Sequence, residues 1–405
     1  MLSPLTSRLL PLLLTGLAML GPFSINIYMP SFADMRTSLG VNDVQLQITL
    51  SLYFVSFAFM SLWHGMLADS FGRRPVVLVG IAVFTVSTFG IALSDDIHNI
   101  YLLRVLQGFS AGAGIVIGRA VIRDVYEGAM AQRVYATVVM LFAIAPAIGP
   151  VIGGFLQVHF GWRSPFIFLG GMGAVLSLLT FVLLPETLSH ESRQPFSLAN
   201  VLKGYQQVFS HFRFMSWAIS FALMFGGFFI YVLSAPIFLT RHLHLGATQF
   251  IWLFGPATAG MMLGSFLSGR LASAWSVRRL LRTGFAVMLF AVVLNVSVCV
   301  VNPVSFYWYL PYLFFFTLGM ALVQPVIMVL GLDCVPHRRG LGSSVQLFVQ
   351  TSFNALLSAV IAPLFWNSPL QLALGAATLL ALSLMGIYFL RWMTVSGRTP
   401  KAEQV

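Results

Sequence analysis

The sequence predicts an all-α polytopic membrane protein, with twelve transmembrane helices forming two six-helix pseudo-symmetric bundles. Three observations carry this. Of the 405 residues, 58% are hydrophobic and 8% charged, whereas a soluble domain carries about 25% charged residues. The apolar residues gather into runs near the ~20 residues that a helix needs to cross a bilayer. The basic residues crowd onto one side of those runs.

Twelve runs follow in order: 9–32, 45–67, 76–93, 100–122, 134–160, 166–184, 214–238, 250–271, 280–301, 307–330, 341–364 and 369–392. Lipid offers no hydrogen-bond partner, so each run must be helical despite its β-branched and aromatic content. The first run follows Arg8, shows no cleavage site of small residues, and continues to Phe32. It therefore reads as a first span rather than a removed signal. The longest polar connector, with Glu186, Glu191, Arg193, Lys203 and Arg213, separates runs six and seven. The predicted organisation is a bundle at 1–185, a cytoplasmic linker at 186–213, a second bundle at 214–395 and a cytoplasmic tail at 396–405.

Sidedness comes from lysine and arginine. With the N-terminus inside, 18 of the 22 bases lie at cytoplasmic segments or helix ends. Only Arg36, Arg163 and Arg241 lie outside, and Arg104 falls within run four. Both termini are thus expected in the cytoplasm. The net charge of +11 is a topology signal and not a nucleic-acid footprint. The two cysteines, Cys299 and Cys334, make no disulfide framework, and no zinc pattern, P-loop or dinucleotide fingerprint is present. Neither a cofactor nor a metal is expected, and no residue set suggests an enzyme.

The halves carry traces of duplication. GMLADSFGRR (65–74) follows run two, and GRLASAWSVR (269–278) follows run eight, 204 positions later. Gly65, Leu67, Ala68 and Arg74 recur as Gly269, Leu271, Ala272 and Arg278, while Asp69 becomes Ser273. Two parallel repeats around a central site form a transporter architecture.

Several motifs support a narrower reading. They are GMLADSFGRRP from Gly65, RVLQG (104–108), APAIGPVIGG (145–154), SINIYMPSF in run one, SAPIF (234–238) and DCVPHRRG after run ten. Across the whole chain these residues resemble the major facilitator superfamily (MFS). More narrowly, they resemble its drug:proton antiporters of the bicyclomycin and chloramphenicol resistance (Bcr/CflA) group. The resemblance implies the MFS fold and alternating access.

The loop motif is read as a conformational latch of Gly65, Asp69, Gly72, Arg73, Arg74 and Asp124. Gly65 would allow close helix packing, and Gly72 a tight turn. By resemblance, Asp69, Arg73 and Asp124 cluster and Asp69 meets the N-terminus of helix eleven, locking the outward-open state. Anchoring to the inner leaflet is the plainer reading of the arginines. In the antiporter motif, Gly149, Gly153 and Gly154 present small-residue spacing, and Pro146 and Pro150 remove backbone donors. The resemblance implies that this helix moves against helix eight, where GPATAGMMLG (255–264) offers a small-residue face.

Arg104 lies roughly 6–9 Å inside helix four by helical rise. An ionisable group there faces a cavity or partner, or snorkels outward. The resemblance places it beside substrate and proton. The group often carries an acid in helix one within S-I-D-x-Y-x-P, but here that position is Asn26, which does not titrate. Asp34, about 12 Å further out by helical rise, is the alternative proton-coupling partner of Arg104, its pKa set by burial and by the arginine. His64 and His159 lie near helix ends and read as interfacial. Further substrate-binding candidates are Tyr28, Tyr53, Gln107, Tyr231, Gln324 and Gln350, together with Gln346 and Asn354. Interhelical hydrogen bonding alone explains many such residues.

The expected function is secondary active efflux of small hydrophobic drugs or metabolites by alternating access with proton antiport, in a bacterial inner membrane. The alternative is a proton-independent facilitator or importer of a small anionic or nucleobase-like solute. The expected partners are a small-molecule substrate, protons and the lipid bilayer, without nucleic acid, for a monomeric carrier.

Overall fold

The computed structural model describes residues 4–126, 128–189, 191, 193, 197–272, 274–301 and 306–395. The expected tail 396–405 and Ser273 of the repeat lie outside the described residues. Among those described, every regular element is helical. Eleven of the described helices are long and apolar enough to span a bilayer. The fifth expected run falls in α7 (Gly128–Phe160), whose apolar stretch is Ile144–Phe160.

One compact unit comprises Met1–Phe196 with His244–Phe254. Its first run is not the single helix expected. α1 (Pro4–Asn26) ends, a 3-10 turn covers Met29–Ser31, and α2 (Phe32–Leu39) continues. Pro30 contributes to the interruption, because it has no N–H to continue the α-helical bonding. α3 (Asp43–Ser61) starts at a reciprocal cap in which Asn42 and Gln45 satisfy each other's backbone N–H groups. α4 (His64–Phe71), α5 (Arg73–Ala92), α6 (Ile97–Val125) and α8 (Ser164–Leu183) complete the unit. α1 packs on α6, α7 and α8, and α6 packs on α3 and α5.

The other unit comprises Ser197–Leu243 and Gly255–Val405. The connector carries an amphipathic helix, α9 (Leu198–Phe209), with Gly204, Tyr205 and Val208 buried. α10 (Phe212–Ile237) continues into a π-helical turn at Phe238–His242. α11 (Ile251–Leu271), α12 (Val277–Val301), α13 (Leu310–Asp333) and α14 (Arg339–Leu356) follow. A second π turn (Leu357–Ile361) leads to the short α15 (Ala362–Leu364), and α16 (Pro369–Val395) ends the described chain. Within this unit α10 packs on α13, α14 and α16, and α9 docks on α14.

Burial is arranged for lipid. Val79, Val86, Phe181 and Tyr388 are exposed, whereas Thr88, Arg104, Gln107 and Ser383 are buried. Apolar side chains outside and hydrogen-bonding side chains inside suit a hydrocarbon surround. The chain is a multi-pass membrane protein.

Candidate substrate site and gating elements

Arg104 sits on α6 with no exposed surface, which sets aside the snorkelling reading. Its Nη1 donates to the carbonyl of Ser24 at 3.0 Å and to Gln107 Oε1 at 2.7 Å. The guanidinium lies over the Tyr28 ring at 3.8 Å and the Phe166 ring at 5.2 Å, a cation–π cradle. Gln107, one turn along, donates to Thr88 Oγ1 at 2.7 Å. Tyr28 shares a hydrogen bond with Thr49 at 2.9 Å. Ser24 donates to the carbonyl of Gly21 at 2.7 Å and shares a hydrogen bond with the Tyr53 hydroxyl at 2.9 Å. Tyr28, Tyr53, Arg104 and Gln107 therefore form one buried polar group around the end of α1. Ser24, Thr49, Thr88 and Phe166 complete it. Those four were not singled out in the sequence, where a lone hydroxyl or phenylalanine in an apolar run carries no distinguishing signal.

Asn26 lies at the end of α1 and donates to the carbonyl of Pro22 at 2.8 Å, while its buried Oδ1 has no partner. Asp34, the expected proton-coupling acid, has a different partner. It lies on α2 beyond the break, it is exposed, and its carboxylate accepts from Gln157. The interrupted backbone of run one places it on a separate helix from the end of α1. His64 is buried at the start of α4, and His159 is exposed.

The glycines of α7 meet this break directly. A β-carbon on Gly149 would lie 3.2 Å from Asn26 Cβ, and one on Gly153 would overlap the backbone of Ile27. One on Gly154 would strike the carbonyl of Ala247, within the segment His244–Phe254. Pro146 and Pro150 lie inside α7. The small-residue face of helix eight has neighbours within its own unit. Gly260 and Gly264 fit against the backbone of α13 at Phe314 and Leu318.

At the other end of the unit, Arg73 forms ion pairs with Asp69 and, at 3.3 Å, with Asp124. The Arg73 side chain is 6% exposed and the Asp69 side chain 43%, so the cation is the buried member. Gly72 has φ +103°, a conformation that favours glycine. Glu186 completes the cluster. Its carboxylate accepts from the backbone N–H of Arg73 at 2.9 Å and of Arg74 at 3.3 Å, stabilising the positive end of α5. Arg74 donates to the carbonyl of Phe181 at 2.7 Å. The sequence reading has Glu186 only as part of the connector; its position just after run six, on the side expected for Arg73 and Arg74, is the signal that could have found it. Gly65 departs from expectation, since a β-carbon there would meet only Val116 at an ordinary 3.8 Å.

In the second unit, Tyr231 accepts from Asn295 at 2.7 Å and packs on Tyr312 at 4.9 Å. Gln324 and Gln350 are half-buried. Gln346 donates to the carbonyl of Met328, and the Oδ1 of buried Asn354 has no partner. Trp366 donates to Ser234 Oγ at 3.0 Å, and its carbonyl lies 2.8 Å from His242 Nε2. These two bonds tie Ser234 of α10 and His242 of the π turn after it to the chain just after α15.

A family model described as Major Facilitator Superfamily matches residues 14–359. The bicyclomycin resistance protein homolog of Haemophilus influenzae is 25% identical, over 94% of this chain and 96% of that protein. The MFS-type transporter YdgK of Bacillus subtilis is 30% identical, over 88% of each chain. The chloramphenicol resistance protein of Pseudomonas aeruginosa is 29% identical, over 70% of this chain and 67% of that one. Among solved structures, a bacterial homolog of the human lysosomal transporter Spinster superposes with a TM-score of 0.72, at 16% identity and over 96% of each chain. That likeness concerns the fold.

Proposed function

This chain belongs to the Major Facilitator Superfamily, and from that premise we propose that it exports small, largely apolar molecules by alternating access across a bacterial inner membrane. The single observation that carries the reading is the buried polar group around Arg104, set in an apolar bundle and bordered by the break in run one. A charged side chain in such a place is costly and has a use in a carrier. Relatives named for bicyclomycin, chloramphenicol and multidrug resistance support drugs or metabolites as cargo. The close fit of α7 on the break supports a moving outer element. The cluster of Asp69, Arg73, Asp124 and Glu186 supports an inner latch.

Expression in an efflux-deficient bacterium, scored against a panel of antibiotics and metabolites, tests export. Raised resistance or lowered accumulation for some compounds is the expected result. No change for any compound, with membrane insertion confirmed, overturns it.

Proton antiport is the coupling that resemblance to the resistance group implies. A specific observation favours the alternative, a proton-independent carrier of an anionic solute. Asn26 stands where the group often has an acid, and Asp34 is bonded elsewhere. Everted vesicles discriminate: transport that survives collapse of the pH gradient supports the alternative, and transport that stops supports antiport.

A further inference from the structure

Resting on the export reading, we propose that Arg104 recognises a carboxylate on the cargo, and that the cargo is a monoanion with an apolar or aromatic body. The guanidinium has five N–H donors in a fixed fork. Nη1 is committed to Ser24 and Gln107, and Tyr28 covers a face. The buried Nε and Nη2 have no partner. These two nitrogens share one edge of the guanidinium, with parallel N–H vectors that suit both oxygens of a carboxylate.

The neighbours have other partners. The amide of Gln107 is divided between Arg104 and Thr88. The Tyr28 hydroxyl faces Thr49, and the Ser24 hydroxyl faces Tyr53 and Gly21. Seven described acids of this unit also have partners. Asp34 holds Gln157, Asp43 pairs with Arg36, and Asp69 and Asp124 pair with Arg73. Asp95 pairs with Arg163, Asp96 with His98, and Glu186 caps α5. Arginine keeps its charge in proteins, and a buried charge without a counter-charge is strongly unfavourable. A cargo carboxylate supplies that counter-charge.

The surroundings narrow the class. A single cation with one free edge matches a monoanion, because a dianion would leave one charge uncompensated among apolar groups. The rings of Tyr28, Phe32 and Phe166, with centroids 5.3 and 5.2 Å apart across Tyr28, suit an apolar or aromatic body. The primary amide of the same acid would aim an N–H at an N–H. The carboxylate therefore distinguishes cargo from its neutral analogue. It also gives a reason why Asn26 serves here: the charge comes with the cargo.

The test compares 2-naphthoate with 2-naphthamide by equilibrium binding to the full-length protein in lipid nanodiscs. The expected result is binding of the acid about tenfold or more tighter than the amide, the direction of selectivity for a site built around hydrogen bonds. Arg104→Lys, which loses the fork, should remove most of this difference between acid and amide. Equal binding of acid and amide, or no binding of the acid by monodisperse wild-type protein, overturns the proposal. The wild-type comparison decides even where the variant does not fold. Acid binding without efflux of any compound would sink export and leave recognition standing. Efflux of neutral compounds without acid binding would do the reverse.

Discussion

A β-carbon built on Gly153 overlaps the carbonyl of Ile27, just where run one stops being an α-helix. The contact is backbone against backbone, so no side-chain rotation relieves it. Gly65 belongs to an equally recognisable motif and has only Val116 at 3.8 Å. Gly153→Ala should therefore destabilise the protein by about 1–3 kcal/mol or more and abolish transport, while Gly65→Ala should leave both nearly unchanged. Thermal unfolding in detergent and vesicle transport measure the pair. Equal effects of the two substitutions would remove close packing as the explanation.

Gly72→Ala faces two penalties: a positive φ of 103° and a β-carbon aimed at the Glu186 carboxylate. A loss of about 1–3 kcal/mol is expected from the backbone alone. A normal thermal midpoint in this variant would contradict the geometry of the turn.

Glu186→Gln keeps an oxygen for the N–H groups of Arg73 and Arg74 but removes the negative charge at the start of α5. The expected loss is smaller, about 0.3–1 kcal/mol, as for a charge at a helix end, and it should shrink in high salt. A salt-independent loss would assign Glu186 to packing instead.

Arg104→Lys preserves the charge and loses the fork, the bonds to Ser24 and Gln107, and the stacking on Tyr28. Transport should fall by about tenfold or more, with helical content and monodispersity retained. Activity close to that of the parent would show that a point charge suffices at this position.

Asp34→Asn should leave the pH profile of transport unchanged, because the carboxylate is exposed and bonded to Gln157 and not to the Arg104 group. Loss of pH dependence in this variant would return Asp34 to proton coupling.

Helix number and fold class were legible because hydrocarbon imposes a long apolar period on every span, whatever the packing. Run one shows the limit of that signal. Leu9–Phe32 is continuous in hydrophobicity, while Ile27 to Ser31 leave the α-helix, and apolarity says nothing of backbone path. Arg104 was visible because a lone charge in an apolar run is rare. Ser24, Thr49 and Thr88 were not, because a hydroxyl can equally bond its own helix. Glu186 meets Arg73 from more than one hundred positions away, so only the tertiary arrangement joins them. Gly65 and Gly153 are the same residue in comparable motifs; the neighbour, Val116 or Ile27, decides what each does.

The uncompensated cation of Arg104 has an electrical meaning. A carrier that holds a carboxylate is neutral at this site, and one that has released it bears a full positive charge. In a cell whose interior is negative, voltage then acts on the return of the empty carrier and draws it inward to reload. For one charge moved through the whole field, 100 mV corresponds to about 50-fold in concentration ratio. Export of such a cargo would be driven by membrane voltage and would continue without a pH gradient.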